Sequence, residues 1–403
     1  MTTTHPEHVE ALIIGGGYAG LLAASVVASA GYDVLVLAGG ASITRPRDGG
    51  SDPARRGGVL HVGGLWDVNA LAYGSGPMLR HRGARTFPLP AGGHLSRTPP
   101  QAGEKHELLT CSRDLLTGVL REVIAANPAN ERSTTVLDGA RAVGLIGDES
   151  AVLGARVRFD DGPEQEVTAQ LVVDASGADA CTATWLRELG VVAVPVTRRG
   201  AAGFCASRLY RAPDGRADTP PTAVADGARS AVLVPVENGT WAVTQTAPDR
   251  ERIARADTFA EAALALSDPG VGRLIAEAEP AGDPVVTPDP ALRWHRYEHI
   301  RGPRGIVVIG DALATFSPLD ARGALAAEAS TRALRAALGH GISHPAASRR
   351  AQHAIAEEVA HLWSAPRAGR LSGWRLGPVT PSLSARLSRA RASAGRVLRL
   401  RGR

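Results

Sequence analysis

The stretch Val9-Glu10-Ala11-Leu12-Ile13-Ile14-Gly15-Gly16-Gly17-Tyr18-Ala19-Gly20 decides how this chain is read. A short apolar run ends in a Gly-x-Gly-x-x-Gly turn made by Gly15, Gly17 and Gly20, followed by the small-residue segment Leu21–Ala30 and a second apolar run, Tyr32–Leu37. Strand, tight turn, helix and strand in that order are a β-α-β unit. Each glycine has a physical reason: the tight turn, the approach of backbone to a diphosphate, and close strand–helix packing. A diphosphate there would rest on the helix N-terminus. Glycine-rich strand–helix turns also arise for packing alone, and the motif does not choose between dinucleotides.

Such a site normally has a carboxylate about 20 residues on, at the end of the second strand, to bind ribose hydroxyls. Here that strand ends Val36-Leu37-Ala38-Gly39-Gly40, and Asp33 lies at its wrong end. Losing a charged hydrogen bond removes about 1.5–3 kcal/mol unless another group replaces it. Asp48 or Asp52, folding back from the Gly/Arg/Asp-rich segment that follows, are candidates for that replacement.

Further along, Cys111-Ser112-Arg113 precedes the helical stripe Leu115, Leu116, Val119, Leu120 and Val123, with Ser112 as its cap. The segment from Thr134 to Val173 alternates in short stretches and predicts a small antiparallel meander ending in a buried strand at Leu171–Asp174. Residues Ala202–Ala212 and Ala231–Thr246 predict a second antiparallel sheet, the latter folded as a hairpin around Glu237-Asn238-Gly239. Ile306–Ile309 is a buried parallel strand leading through Gly310-Asp311 towards a helix at Ala324–Leu338. A carboxylate at the end of that strand suits a polyol hydroxyl, although an Asp that merely caps the next turn would look the same.

The glycine turn, the Cys111-Ser112-Arg113 helix, Asp174-Ala175-Ser176-Gly177 and Gly310-Asp311…Pro318…Gly323 occur in one order. In that order they resemble the FAD-dependent aromatic hydroxylases and squalene-epoxidase-like monooxygenases, over roughly residues 9 to 340. The resemblance implies an α/β fold: a Rossmann-like FAD/NAD(P)-binding domain interleaved with an antiparallel β-sheet substrate domain, with a C-terminal helical tail. The expected division is 1–72, 107–190 and 291–350 for the nucleotide domain, 73–106 and 191–290 for the substrate domain, and 351–403 for the tail. By resemblance, Gly15, Gly17 and Gly20 contact the FAD diphosphate and Arg113 lies beside it. Asp311, after Gly310, holds the ribityl chain, and Pro318 to Gly323 face the flavin ring. Phe204, Tyr210, Trp241, Trp294 and Tyr297 lie on or near the second sheet and are candidates for lining the substrate pocket, although aromatic residues on strands are usually core.

The departures matter as much. Ala38 stands where relatives carry Glu, Gly177-Ala178 where they often have Gly-Arg, and Ala321-Arg322-Gly323 where they have Gly-Gln-Gly. An arginine in a helix's first turn opposes the macrodipole by about 0.3–1 kcal/mol, so Arg322 needs a partner: the flavin's pyrimidine edge, a space left by absent flavin, or an anionic substrate. His61 falls in a loop that relatives keep near the flavin; a lone His is more often structural.

Composition narrows the classes. Three separated cysteines, Cys111, Cys181 and Cys205, form no Cys-x-x-Cys pair, and no His cluster has metal-ligand spacing, which suits a reducing compartment and not structural zinc. No signal peptide or membrane span is legible, so a cytoplasmic, soluble protein is expected. The net charge of +5 is uneven, since the segment after Glu358 holds ten arginines and no acid. That basic tail suggests weak contact with an anionic membrane surface, beside the plainer reading of a solvated helix. It has no interleaved aromatics suited to nucleic acid.

Three functions follow. The first is an FAD-dependent monooxygenase that hydroxylates or epoxidises a large apolar secondary metabolite, a polyketide or terpenoid, with NAD(P)H as transient electron donor. The second is a redox-silent cyclase of the [4+2] cycloaddition type with structural or lost flavin. A non-catalytic binding protein is the third.

Overall fold

The structure is a computed structural model that describes residues 6–39, 63–88, 107–126, 134–159, 162–200, 203–289, 292–316, 322–339, 341–344 and 346–364. The expectations for Asp48, Asp52, His61, Pro318, Ala321 and the tail beyond 364 lie outside the described residues.

Strands β1 (His8–Ile14) and β2 (Val34–Ala38) run parallel, from Ala11 beside Val34 to Ile14 beside Leu37, with helix α1 (Tyr18–Ser29) between them in sequence. β2 is apolar and buried throughout and β1 is so from Ala11 to Ile14, as central parallel strands are. Every residue of α1 from Gly20 to Ala28 is buried. Its small residues, Gly20, Ala23 and Ala24, bring helix and sheet close. Each fully buried leucine of this layer, such as Leu12, Leu21, Leu22 and Leu35, contributes about 1.5–3 kcal/mol.

Helix α2 (Arg113–Ala126) starts where the Ser112 hydroxyl accepts a hydrogen bond from the Leu115 N–H at 3.1 Å, and it packs on α1. Strand β3 (Thr134–Asp138) then joins the outer edge of β2 in parallel, from Val34 beside Thr134 to Ala38 beside Asp138. The meander is therefore shorter than its sequence predicts: it comprises β4 (Ala140–Gly147), β5 (Val152–Phe159) and β6 (Glu164–Asp174). As an edge strand β3 has no fully buried residue, so it lacks the continuous buried apolar run that marks β1 and β2 as central parallel strands. Strand β6 ends parallel to β1, with Asp174 beside Ile14.

A five-stranded antiparallel sheet follows, in the order β8-β9-β10-β7-β11, from β7 (Gly203–Arg211), β8 (Thr222–Asp226), β9 (Arg229–Pro235), β10 (Thr240–Ala247) and β11 (Glu279–Asp289). The β9–β10 turn has Asn238 at φ 59° and Gly239 at φ 65°, the two positive values of a type I′ hairpin. Helices Glu251–Ala254, Ala256–Leu264 and Gly270–Ala276 bury one face in a second core around Trp241 and Phe259.

The chain then returns to the first sheet with β12 (Ile306–Val308), parallel to β6, where Val308 lies beside Asp174. Helix α3 (Arg322–Leu338) packs on α1, and α4 (Ala347–Ser364) packs on α3. Helix α3 thus begins two residues before the predicted Ala324. The first sheet is thus built from segments on both sides of the five-stranded one, and its strands β1, β6 and β12 end together at Ile14, Asp174 and Val308.

Candidate functional site

The glycine turn sits at that common end. Gly15 has φ +115°, and a Cβ on it would lie 2.3 Å from the Ala175 carbonyl oxygen. A Cβ on Gly20 would lie 1.8 Å from the Gly15 carbonyl oxygen, so neither position admits a side chain without moving backbone. Gly17, the N-cap of α1, faces open space; no side chain caps the helix and its first turn holds no acid. The helix therefore presents N–H groups and a positive dipole end to whatever lies over Gly17.

The turn after β12 is pressed against the same helix end. Gly310 has φ +60°, and a Cβ there would lie 2.8 Å from Ala19 Cβ in the first turn of α1. Asp311 is thereby brought next to the glycine turn, with its Oδ1 3.8 Å from the position of a Cβ on Gly323. Asp311 keeps access to solvent although protein atoms crowd around its carboxyl. The water this crowding displaces leaves the carboxyl above the usual range, and the positive charge of Arg113 partly opposes the shift. Arg113 itself is exposed at the start of α2. The open start of α1, the Asp311 carboxylate and the Arg113 cation thus meet at one end of the sheet, the candidate crevice.

Beneath it, Asp174 is wholly buried, accepts a hydrogen bond from the Ser176 N–H at 2.9 Å and another from the Thr182 hydroxyl, and is pushed up in pKa by burial. It shapes the Ala175–Gly177 turn that backs Gly15. Tyr297 is buried nearby, its phenol pushed up by burial and then by the charge of Asp174.

Each altered position has a neighbour that the sequence alone does not reveal. Beside Ala38, Arg121 forks onto Asp138 with Nη1 to Oδ2 at 3.0 Å and Nη2 to Oδ1 at 2.9 Å. Beside Ala178, whose relatives often carry Arg, Arg293 donates from Nη2 to the Ala178 carbonyl at 2.5 Å. Arg322 is buried, donates from Nη1 to the Leu362 carbonyl at 3.3 Å in the last turn of α4, and lies 5.4 Å from the centre of the Phe316 ring. A helix C-terminus and an aromatic face both favour a cation, which offsets its unfavourable place in the first turn of α3.

The aromatic candidates divide. Tyr210 and Trp241 are buried on the helix-covered face of the five-stranded sheet, with Phe204 packed against the same core. They are corrected from pocket to core. The two-residue period of a strand puts Cys205, Ser207, Val232, Val234, Ala242 and Thr244 on the opposite face instead. Ser207 and Thr244 share a hydrogen bond there at 2.9 Å. Trp294 packs on Trp363 of α4 at 5.7 Å and beneath Arg296 at 3.9 Å, and Tyr297 lies in the first core. Neither is on the five-stranded sheet. Among the described residues, no cluster of His, Cys, Asp or Glu could hold a metal ion.

This arrangement aligns with solved flavoenzymes across most of its length. The myxobacterial chondrochloren halogenase CndH superposes with a TM-score of 0.66 at 16% identity, covering 97% of this chain and 91% of that one. The flavin-dependent brominase Bmp2 gives 0.64 at 17% identity over 85% and 83%. PqsL of Pseudomonas aeruginosa, a probable FAD-dependent monooxygenase, gives 0.62 at 17% over 88% and 93%. The chain has the fold of the FAD-dependent monooxygenases and halogenases. In sequence, Protein Rv3254 of Mycobacterium tuberculosis (strain ATCC 25618 / H37Rv) is 28% identical over 344 residues, 78% of this chain and 69% of that protein. No protein-family model matches the chain. Within this flavoprotein fold the glycine turn, Arg113, Gly310, Asp311 and Gly323 converge on one crevice, whereas Arg322 is turned towards α4.

Proposed function

We propose that the chain binds FAD along this crevice and works as a flavin-dependent monooxygenase on a large apolar secondary metabolite. The observation that carries the reading is the packing of Gly310 on Ala19, which sets the Asp311 carboxylate beside the open N-terminus of α1. The groups fit the ligand. Gly17 opens the uncapped start of α1, whose first-turn N–H groups can meet a diphosphate, while Gly15 and Gly20 let the turn pack closely; Asp311 can accept from ribityl hydroxyls, and Arg113 adds a positive charge near it. A bound flavin would supply the redox chemistry with oxygen. The protein's own share is to bind, orient and exclude water. For that share the face of Cys205, Ser207, Val232, Val234, Ala242 and Thr244, small and mixed apolar–hydroxyl, suits an apolar substrate carrying a few polar groups.

NAD(P)H is the electron donor this reading calls for, and the cytoplasm its compartment. Among the described residues, no helix is long and apolar enough to cross a membrane. A redox-silent cyclase on the same scaffold is the second reading, favoured by Ala38 and by the contact of Arg322 with Leu362. Oxygen consumption by FAD-loaded protein with NADH or NADPH separates them. Uptake stimulated by polyketide or terpenoid substrates is expected; bound flavin that passes no electrons while a polyene substrate is cyclised would overturn the oxygenase reading in favour of the second.

A further inference from the structure

Parallel pairing puts Asp138, at the end of β3, level with Ala38 at the end of β2. The carboxylate missing from β2 is therefore present one strand over. The glycine turn lies directly against this place: a Cβ on Gly16 would be 2.6 Å from Ala38 Cβ and 3.3 Å from Arg121 Nη2. Arg121 reaches it from α2 and is fixed by its fork onto Asp138. We propose that Arg121 and Asp138 together recognise the free ribose diol of an adenosine nucleotide, replacing the single carboxylate absent at Ala38. The inference rests on the FAD reading above and specifies the adenosine end of that site.

The chemistry is that of a matched pair. A guanidinium carries five N–H donors and no acceptor, a carboxylate only acceptors, and each hydroxyl both donates and accepts. With one N–H of Nη1 and one of Nη2 directed at Asp138, Arg121 keeps the second N–H of each for hydroxyl oxygens. Asp138 keeps lone pairs for hydroxyl protons. Both side chains remain accessible, at 26% and 43% exposure. An exposed ion pair that only tethers α2 to β3 would be indifferent to the ligand's sugar. The proposed pair distinguishes three sugars: it accepts ribose, loses a hydroxyl contact with 2′-deoxyribose, and sets the negative charge of a 2′-phosphate against Asp138.

The test is calorimetric titration of the full chain with ADP, 2′-deoxy-ADP, AMP and adenosine 2′,5′-bisphosphate, the last compared with AMP because both carry a 5′-monophosphate. Arg121→Gln and Asp138→Asn are compared with wild type, and Glu122→Gln on the same helix is the control. Wild type and control should favour ADP over the deoxy form by about tenfold, and AMP over the bisphosphate. Each pair variant should reduce the deoxy preference to within about twofold. Indifference to the sugar in wild type, tighter binding of the bisphosphate than of AMP, or a preference that survives both substitutions would overturn the proposal. FAD binding alongside any of these leaves the cofactor reading intact, whereas no binding of ADP or FAD overturns both.

Discussion

At Asp311 folding and binding pull against each other. Protein atoms crowded around its carboxyl displace water and raise its pKa in the folded chain. Between the ordinary carboxylate pKa near 4 and that raised value, the native state binds more protons than the unfolded state, so this group lowers stability as pH rises through the window. Asp311→Asn removes the effect. Ligand-free protein carrying it should match wild type most nearly under acid conditions and gain on it towards neutrality, a difference that thermal melts across pH 4–8 measure. The same substitution removes the charged acceptor for a ribityl hydroxyl and should weaken FAD by about 10- to 100-fold, equivalent to about 1.5–3 kcal/mol. Gly20→Ala acts differently, because its Cβ would strike the Gly15 carbonyl. It should cost about 1–3 kcal/mol in denaturant unfolding and abolish nucleotide binding together with the turn's shape. Ala38, Ala178 and Arg322 are legible as departures from sequence. What answers them is not, since Asp138, Arg293 and Leu362 lie 100, 115 and 40 residues away and meet them only through strand register and helix packing.

Among the elements, the hairpin at Asn238-Gly239, the cap at Ser112 and the strand at Ile306–Val308 follow directly from local sequence, because turn chemistry and apolar runs are local properties. Facing is less local. Strand residues of the five-stranded sheet alternate between two faces that are both substantially buried, so hydrophobicity alone does not say which face the later helices cover. Trp241 therefore looks like a pocket residue until Ala256–Leu264 is laid over it. Trp241→Ala should cost about 3–5 kcal/mol of stability, while the milder Trp241→Phe should leave substrate affinity unchanged. At the other end, Arg322 and Arg199 donate to the Leu362 and Trp363 carbonyls, joining the start of α3 and the Val196–Arg199 strand to the last turn of α4. Arg322→Gln should speed amide exchange in that last turn more than in the middle of α4, which hydrogen-exchange mass spectrometry resolves.

For the whole molecule, the order of motifs conveys more than any one of them. A glycine turn near residue 15, a buried Asp at 174 and a Gly-Asp at 310 become neighbours because β1, β6 and β12 are adjacent parallel strands that end together. The sequence therefore reveals the late return of β12 to the first sheet, whereas the outer strand β3 is disguised as meander because its edge position leaves it without a buried apolar run. The central claim, that this crevice holds FAD, is tested most directly by the visible spectrum of purified protein before and after incubation with excess FAD and removal of free cofactor. A yellow protein with stoichiometric releasable FAD, depleted by Asp311→Asn, is the expected result. Colourless wild-type protein that stays empty after incubation would contradict it.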